Sequence, residues 1–166
     1  MIVADASGLV ALGSAGVLDG VAETFDVRTA GRAIAAVEVA AARHGPAGDG
    51  ARAALARRDR VAVVEPEAEP IRTSRLDGAA GSAVALAREL DAAFLLVDDD
   101  RAIHELRRLA PGDVVTPAIV LCALVRRGAL SGQDARFRLD ALLDRRRGLE
   151  AAVGRRGRRL LDGSAT

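Results

Sequence analysis

Carboxylates at the ends of apolar runs are the residues here most suited to chemistry. Phe94-Leu95-Leu96-Val97 runs directly into Asp98-Asp99-Asp100, and Ile2-Val3-Ala4 runs into Asp5. A short, wholly apolar segment is the pattern of a parallel strand covered by helices on both faces. In open α/β sheets, ligands gather outside the carboxyl ends of the strands. One aspartate at such a point is an ordinary helix cap. Three in a row exceed what capping needs, and their repulsion calls for a cation.

Glu38 adds a third element. It is the only polar side chain in Ala33-Ile34-Ala35-Ala36-Val37-Glu38-Val39-Ala40-Ala41-Ala42. At about 100° per residue, Arg32 and Arg43 fall roughly 120 to 140° around the helix from it. A lone surface glutamate is the plain reading, and a carboxylate directed into a cleft is the functional one. Together Asp5, Glu38, Asp98 and Asp99 form the donor set expected for a hard divalent cation, Mg²⁺ or Mn²⁺, which takes oxygen ligands and keeps several waters. His44 and His104 have no partners at zinc-binding spacing, and no Gly-rich phosphate loop is present.

Strands alternating with helices must position these acids. The pattern predicts a strand at 1–4, with Ser7 capping the helix that follows. A short helix around Leu18–Ala22 and a brief extended piece at 25–28 come next. A helix over 30–43 is closed by His44-Gly45-Pro46, and Gly48-Asp49-Gly50 completes that loop. A helix over 51–58 and a fully apolar strand, Val61–Val64, precede a Pro-containing linker to Arg75. Asp77 caps a helix over 79–90. Strand 94–97, helix 101–109, strand 113–116 and helices 117–127 and 133–146 complete the order, which implies a three-layer α/β/α sandwich around a mainly parallel sheet.

The 166 residues fit one domain, assigned to 1–146, followed by an Arg- and Gly-rich tail at 147–166. That tail, with Arg155, Arg156, Arg158 and Arg159, reads as a solvated segment or a basic arm for RNA. The net charge of +1 supplies no global field for a polyanion, and the absence of Lys excludes lysine chemistry. Three Phe with no Tyr or Trp argue against recognition of bases by stacking. Cys122 lies in an apolar helical run and reads as a core thiol. The chain opens on a strand and has no apolar stretch of spanning length, which predicts a cytoplasmic protein without a membrane anchor.

These residues resemble the PIN domains, metal-dependent nucleases that include the toxin ribonucleases of toxin-antitoxin pairs. Val3-Ala4-Asp5-Ala6-Ser7 resembles the family's Asp-x-Ser opening, Val37-Glu38 its helical Glu, and Leu95-Leu96-Val97-Asp98-Asp99 its Leu-Leu-Asp-Asp strand end. Val114-Val115-Thr116 and the helix after it resemble the closing strand and helix. The resemblance implies that Asp5, Glu38 and Asp99 are metal ligands and catalytic acids, with Asp98 adjacent, Ser7 supporting Asp5, and Mg²⁺ or Mn²⁺ as the cofactor. It implies hydrolysis of single-stranded RNA, with RNA, an antitoxin protein and a second copy as partners. There is one departure: Leu76-Asp77-Gly78-Ala79-Ala80-Gly81-Ser82 resembles a helix start that carries two Glu in the family, where Ala80 and Ser82 stand here.

Two rivals follow. One is a degenerate PIN-like module that binds RNA or protein without cutting, through apolar helices at 118–125 and 137–143. The other is a phosphotransfer receiver or haloacid-dehalogenase-like phosphatase, and the absent lysine disfavours both of these.

Overall fold

The computed structural model describes residues 1–144. Five short strands, β1 (Ile2–Ala4), β2 (Val27–Ala30), β3 (Ala62–Val64), β4 (Phe94–Leu96) and β5 (Asp113–Val115), form one all-parallel sheet in the order β3-β2-β1-β4-β5. The chain builds outward from β1 through β2 to β3, then returns to the other side of β1 as β4. The carboxyl ends of β1 and β4 therefore flank the topological switch point, where the connections diverge and leave a crevice.

The helices are α1 (Ala6–Ala15), α2 (Leu18–Thr24), α3 (Gly31–Ala41), α4 (Pro46–Leu55), α5 (Gly78–Glu89), α6 (Asp100–Leu109), α7 (Pro117–Arg126) and α8 (Gly132–Asp144), with a 3₁₀ turn at Arg58–Arg60. Neighbouring strand residues point to opposite faces of the sheet. Ile2, Ala4, Leu96 and Val115 join the core under α1, α2, α4, α7 and α8, while Val3, Leu95 and Val114 join the core under α5 and α6. Both faces are thus covered, which makes the three-layer α/β/α sandwich and explains the unbroken apolar strands. No described helix is long and apolar enough to cross a membrane.

Three local readings are corrected. Asp5, not Ser7, caps α1: its Oδ1 accepts from the Gly8 N–H at 2.6 Å. Pro46 begins α4 rather than closing α3, since its fixed φ suits the first helical turn, and Gly48-Asp49-Gly50 lies within that helix. Gly50 belongs to a close crossing of α1 and α4. A Cβ on Gly13 of α1 would overlap the Gly50 carbonyl oxygen and come within 2.6 Å of the Ala54 nitrogen. Finally, β3 is an edge strand with Ala62 and Val63 exposed, so its apolar run does not mean full burial. The segment 147–166 and the last two residues expected for the final helix, 145–146, lie outside the described residues.

Candidate active site

Three helix N-termini meet at the crevice, each capped by an aspartate. Asp5 ends β1 and caps α1. Asp99 follows β4 and caps α6, its Oδ1 accepting from the Arg101 N–H at 3.0 Å. Asp77 ends the linker and caps α5, its Oδ1 accepting from the N–H groups of Ala79 and Ala80 at 3.0 and 2.8 Å. Asp is favoured there because its carboxylate satisfies orphan N–H groups and complements the positive end of the helix dipole.

These acids line one pocket of about 480 Å³ together with Ser7, Asp98, Ala36, Ala40, Arg43 and Arg75. Ser7 ties its two acidic walls together. Its hydroxyl donates to Asp5 Oδ1 at 2.8 Å, and its Oγ accepts from the Asp98 N–H at 2.8 Å. Close packing fixes that geometry. A Cβ on Gly8 would stand 2.7 Å from the Leu96 carbonyl oxygen, so the first turn of α1 lies directly on the end of β4.

Comparison with protein-family models matches residues 1–161 to DUF3368, a PIN domain. The chain belongs to this PIN-domain family. No curated protein and no solved structure matches it significantly. PIN domains generally use divalent metals.

Among the described residues of this PIN domain, Asp5 is the one buried acid or base, 5% exposed. Burial pushes its carboxyl up from the ordinary 3.8 to about 6, against the lowering effect of the Gly8 and Ser7 hydrogen bonds, and Asp99 and Asp77 raise it further. A buried carboxylate with two acids beside it is an environment a cation would relieve. Suitable atoms are also present, because Oδ2 of Asp77 and Oδ2 of Asp99 accept no hydrogen bond among the described residues. Among those residues, however, no group of three or more Asp, Glu, His or Cys side chains could hold a metal ion together. A cation here would therefore have at most one or two carboxylates, the number Mg²⁺ commonly uses when water and substrate phosphate complete its shell.

Glu38 does not join the other acids. It is exposed on α3 and lies outside the pocket lining, which that helix supplies through Ala36 and Ala40. Two residues from each, Glu38 sits about 160° around the helix from them. Ala33, Ile34 and Val37 are the buried anchors that set this rotation. The lone polar side chain is thus a solvated one. On α5, Ala79 and Ala80 face the pocket, whereas Ser82, 1% exposed, packs behind it.

The sequence reading did not place Asp77, Arg43 or Arg75 in the pocket. Asp77 was legible as a cap, and a cap at a sheet's carboxyl edge is also a pocket wall. Arg43 was expected within the helix, on the side away from Glu38, but α3 ends at Ala41 and Arg43 lies just beyond the cap Ala42, where it lines the crevice. Nothing local in the linker marks Arg75.

Proposed function

We propose that this PIN domain is a Mg²⁺- or Mn²⁺-dependent ribonuclease that hydrolyses phosphodiester bonds of single-stranded RNA. The supporting observation is the convergence of Asp5 and Asp99 with Arg43 and Arg75 on one pocket at the switch point. Asp5 and Asp99 would hold the cation, with Asp98 and Asp77 adding negative potential. When bound, such an ion lowers the pKa of its water and offsets charge on phosphate oxygens. The guanidinium groups of Arg43 and Arg75 orient the phosphate by paired N–H donors. The N-termini of α1, α5 and α6 add positive potential at the same place. Asp5 must be ionised to serve, so protons compete with the cation for it and cation binding weakens as pH falls.

In a test on a panel of single-stranded RNAs, Asp5→Asn and Asp99→Asn each abolish Mn²⁺-dependent cleavage. Cleavage that survives both changes sinks the assignment.

A second reading, RNA binding without cleavage, is favoured by Ala80, which lines the pocket at a position where the family's helix start carries Glu. Calorimetry separates the two. Mn²⁺ heats that vanish in Asp5→Asn support the enzyme, and silence together with retained RNA binding supports the binding module.

A further inference from the structure

The charge of the chain is divided unequally between residues 1–144 and 145–166. The first part holds 17 arginines against 21 acids, a net charge of −4, and the second holds seven arginines against two acids, a net charge of +5. The overall +1 hides this split. Arg145, Arg146 and Arg147 open the second part, and Arg155, Arg156, Arg158 and Arg159 form its other cluster. An acidic body repels a polyanion, whereas a block of basic charge attracts one.

The fold decides where that basic segment starts. Arg138 of α8 donates to the Ala15 and Gly16 carbonyls at the end of α1, and Leu139 and Leu142 are buried in the core. Helix α8 is thereby fixed to the helix that Asp5 caps. In its last turn, Leu142 lines a groove of about 340 Å³ with Val10, His44, Pro46, Ala47 and Asp98. Val10 and Asp98 also line the acidic pocket, so the two cavities adjoin. At no more than about 3.5 Å per residue, the first three arginines stay within roughly 18 Å of Leu142. Among the described residues, no arginine lines the groove itself.

We propose that 145–159 is an RNA-binding arm, and that the strand held over the acidic pocket continues along this groove, where the arginines of the arm neutralise its phosphates. The groove gives the strand a path, and the arm gives it the positive charge that residues 1–144 lack. The first turn of α4, with Pro46 and Ala47 at the groove, adds the positive end of a helix dipole. The assignment rests on the reading of the acidic pocket as a place where RNA is held.

The test is fluorescence anisotropy of the full chain with a labelled oligouridine RNA over a range of salt, in EDTA, so that binding is read apart from cleavage. Arg155→Ser, Arg156→Ser, Arg158→Ser and Arg159→Ser combined in one variant lower the slope of log affinity against log salt by about 2.8, at about 0.7 for each lost single-strand phosphate contact. Ala47→Glu puts a carboxylate in the groove and weakens RNA binding roughly fivefold. An acid suits the first turn of α4, so that variant keeps its fold. An unchanged salt slope in the four-site variant overturns the arm, and unchanged affinity in Ala47→Glu overturns the path along the groove. Mn²⁺ calorimetry without RNA excludes the competing arrangement: Mn²⁺ binding about tenfold tighter in the four-site variant means that the arm sits on the pocket acids and not on RNA, which also overturns the proposal. A failure of the ribonuclease reading is seen separately, as absent Mn²⁺-dependent cleavage with both RNA-binding effects intact.

Discussion

Ser7 and Asp98, separated by 91 positions in the chain, are joined by a 2.8 Å hydrogen bond from the Asp98 N–H to the Ser7 hydroxyl oxygen. The same hydroxyl donates to Asp5, so one side chain sets the spacing of the β1 and β4 acids. Ser7→Ala leaves the Asp98 N–H without that acceptor and removes a hydrogen bond that lowers the Asp5 pKa. The expected loss is on the order of 1 to 3 kcal/mol of stability. The Asp5 carboxyl also titrates above its present value of about 6. Urea unfolding and carboxyl-detected NMR titration measure the two effects.

Stability should fall as pH rises from about 4 to about 6. In this interval the folded chain keeps a proton on Asp5 that the unfolded chain has released, so folding is progressively penalised, and the penalty levels off above the folded pKa. At about 1.36 kcal/mol per pH unit, a rise from 3.8 to about 6 corresponds to roughly 3 kcal/mol at most. Asp5→Asn removes the penalty while keeping an acceptor for the Gly8 N–H. The variant therefore melts higher than the unaltered protein at pH 7.5 and nearly level with it at pH 4. A variant that gains nothing at pH 7.5 contradicts the buried-charge account.

Metal binding should ignore Glu38 and respond to Ala80. Glu38 is solvated, so Glu38→Gln leaves Mn²⁺ affinity by calorimetry within about twofold, well under the 1.4 kcal/mol of a tenfold change. Ala80 lines the pocket, and Ala80→Glu adds a carboxylate to it. Because affinity for hard cations follows ligand charge, the gain is roughly tenfold or more. A large loss in Glu38→Gln restores the ligand role that the family resemblance implies.

Gly13→Ala tests the helix crossing behind the site. The added methyl meets the backbone of α4 at Gly50 and Ala54, where no side chain can swing aside. Such overpacking costs about 1 to 3 kcal/mol, a drop of several degrees in melting temperature for a chain of this size. At Gly20, where nothing lies within 4 Å of an added Cβ, the same substitution leaves stability unchanged or slightly raised. Differential scanning calorimetry of both variants checks the contrast.

The alternation of apolar strands with helices, and the acids closing β1 and β4, are local patterns. The chain order alone therefore determined the fold class and placed Asp5, Asp98 and Asp99 at the active edge. The rotation of α3 is a different matter. A helix that is almost wholly Ala, Val and Ile offers an apolar surface on every side, so its sequence does not say which side is buried. Contacts made by Ala33, Ile34 and Val37 chose the side, turning Ala36 and Ala40 to the pocket and Glu38 to solvent. Arg43 and Arg75 line the same pocket as the acids only because the turn after α3 and a linker without regular structure converge at the switch point. That convergence comes from packing between segments far apart in the chain, and only the tertiary structure decides it.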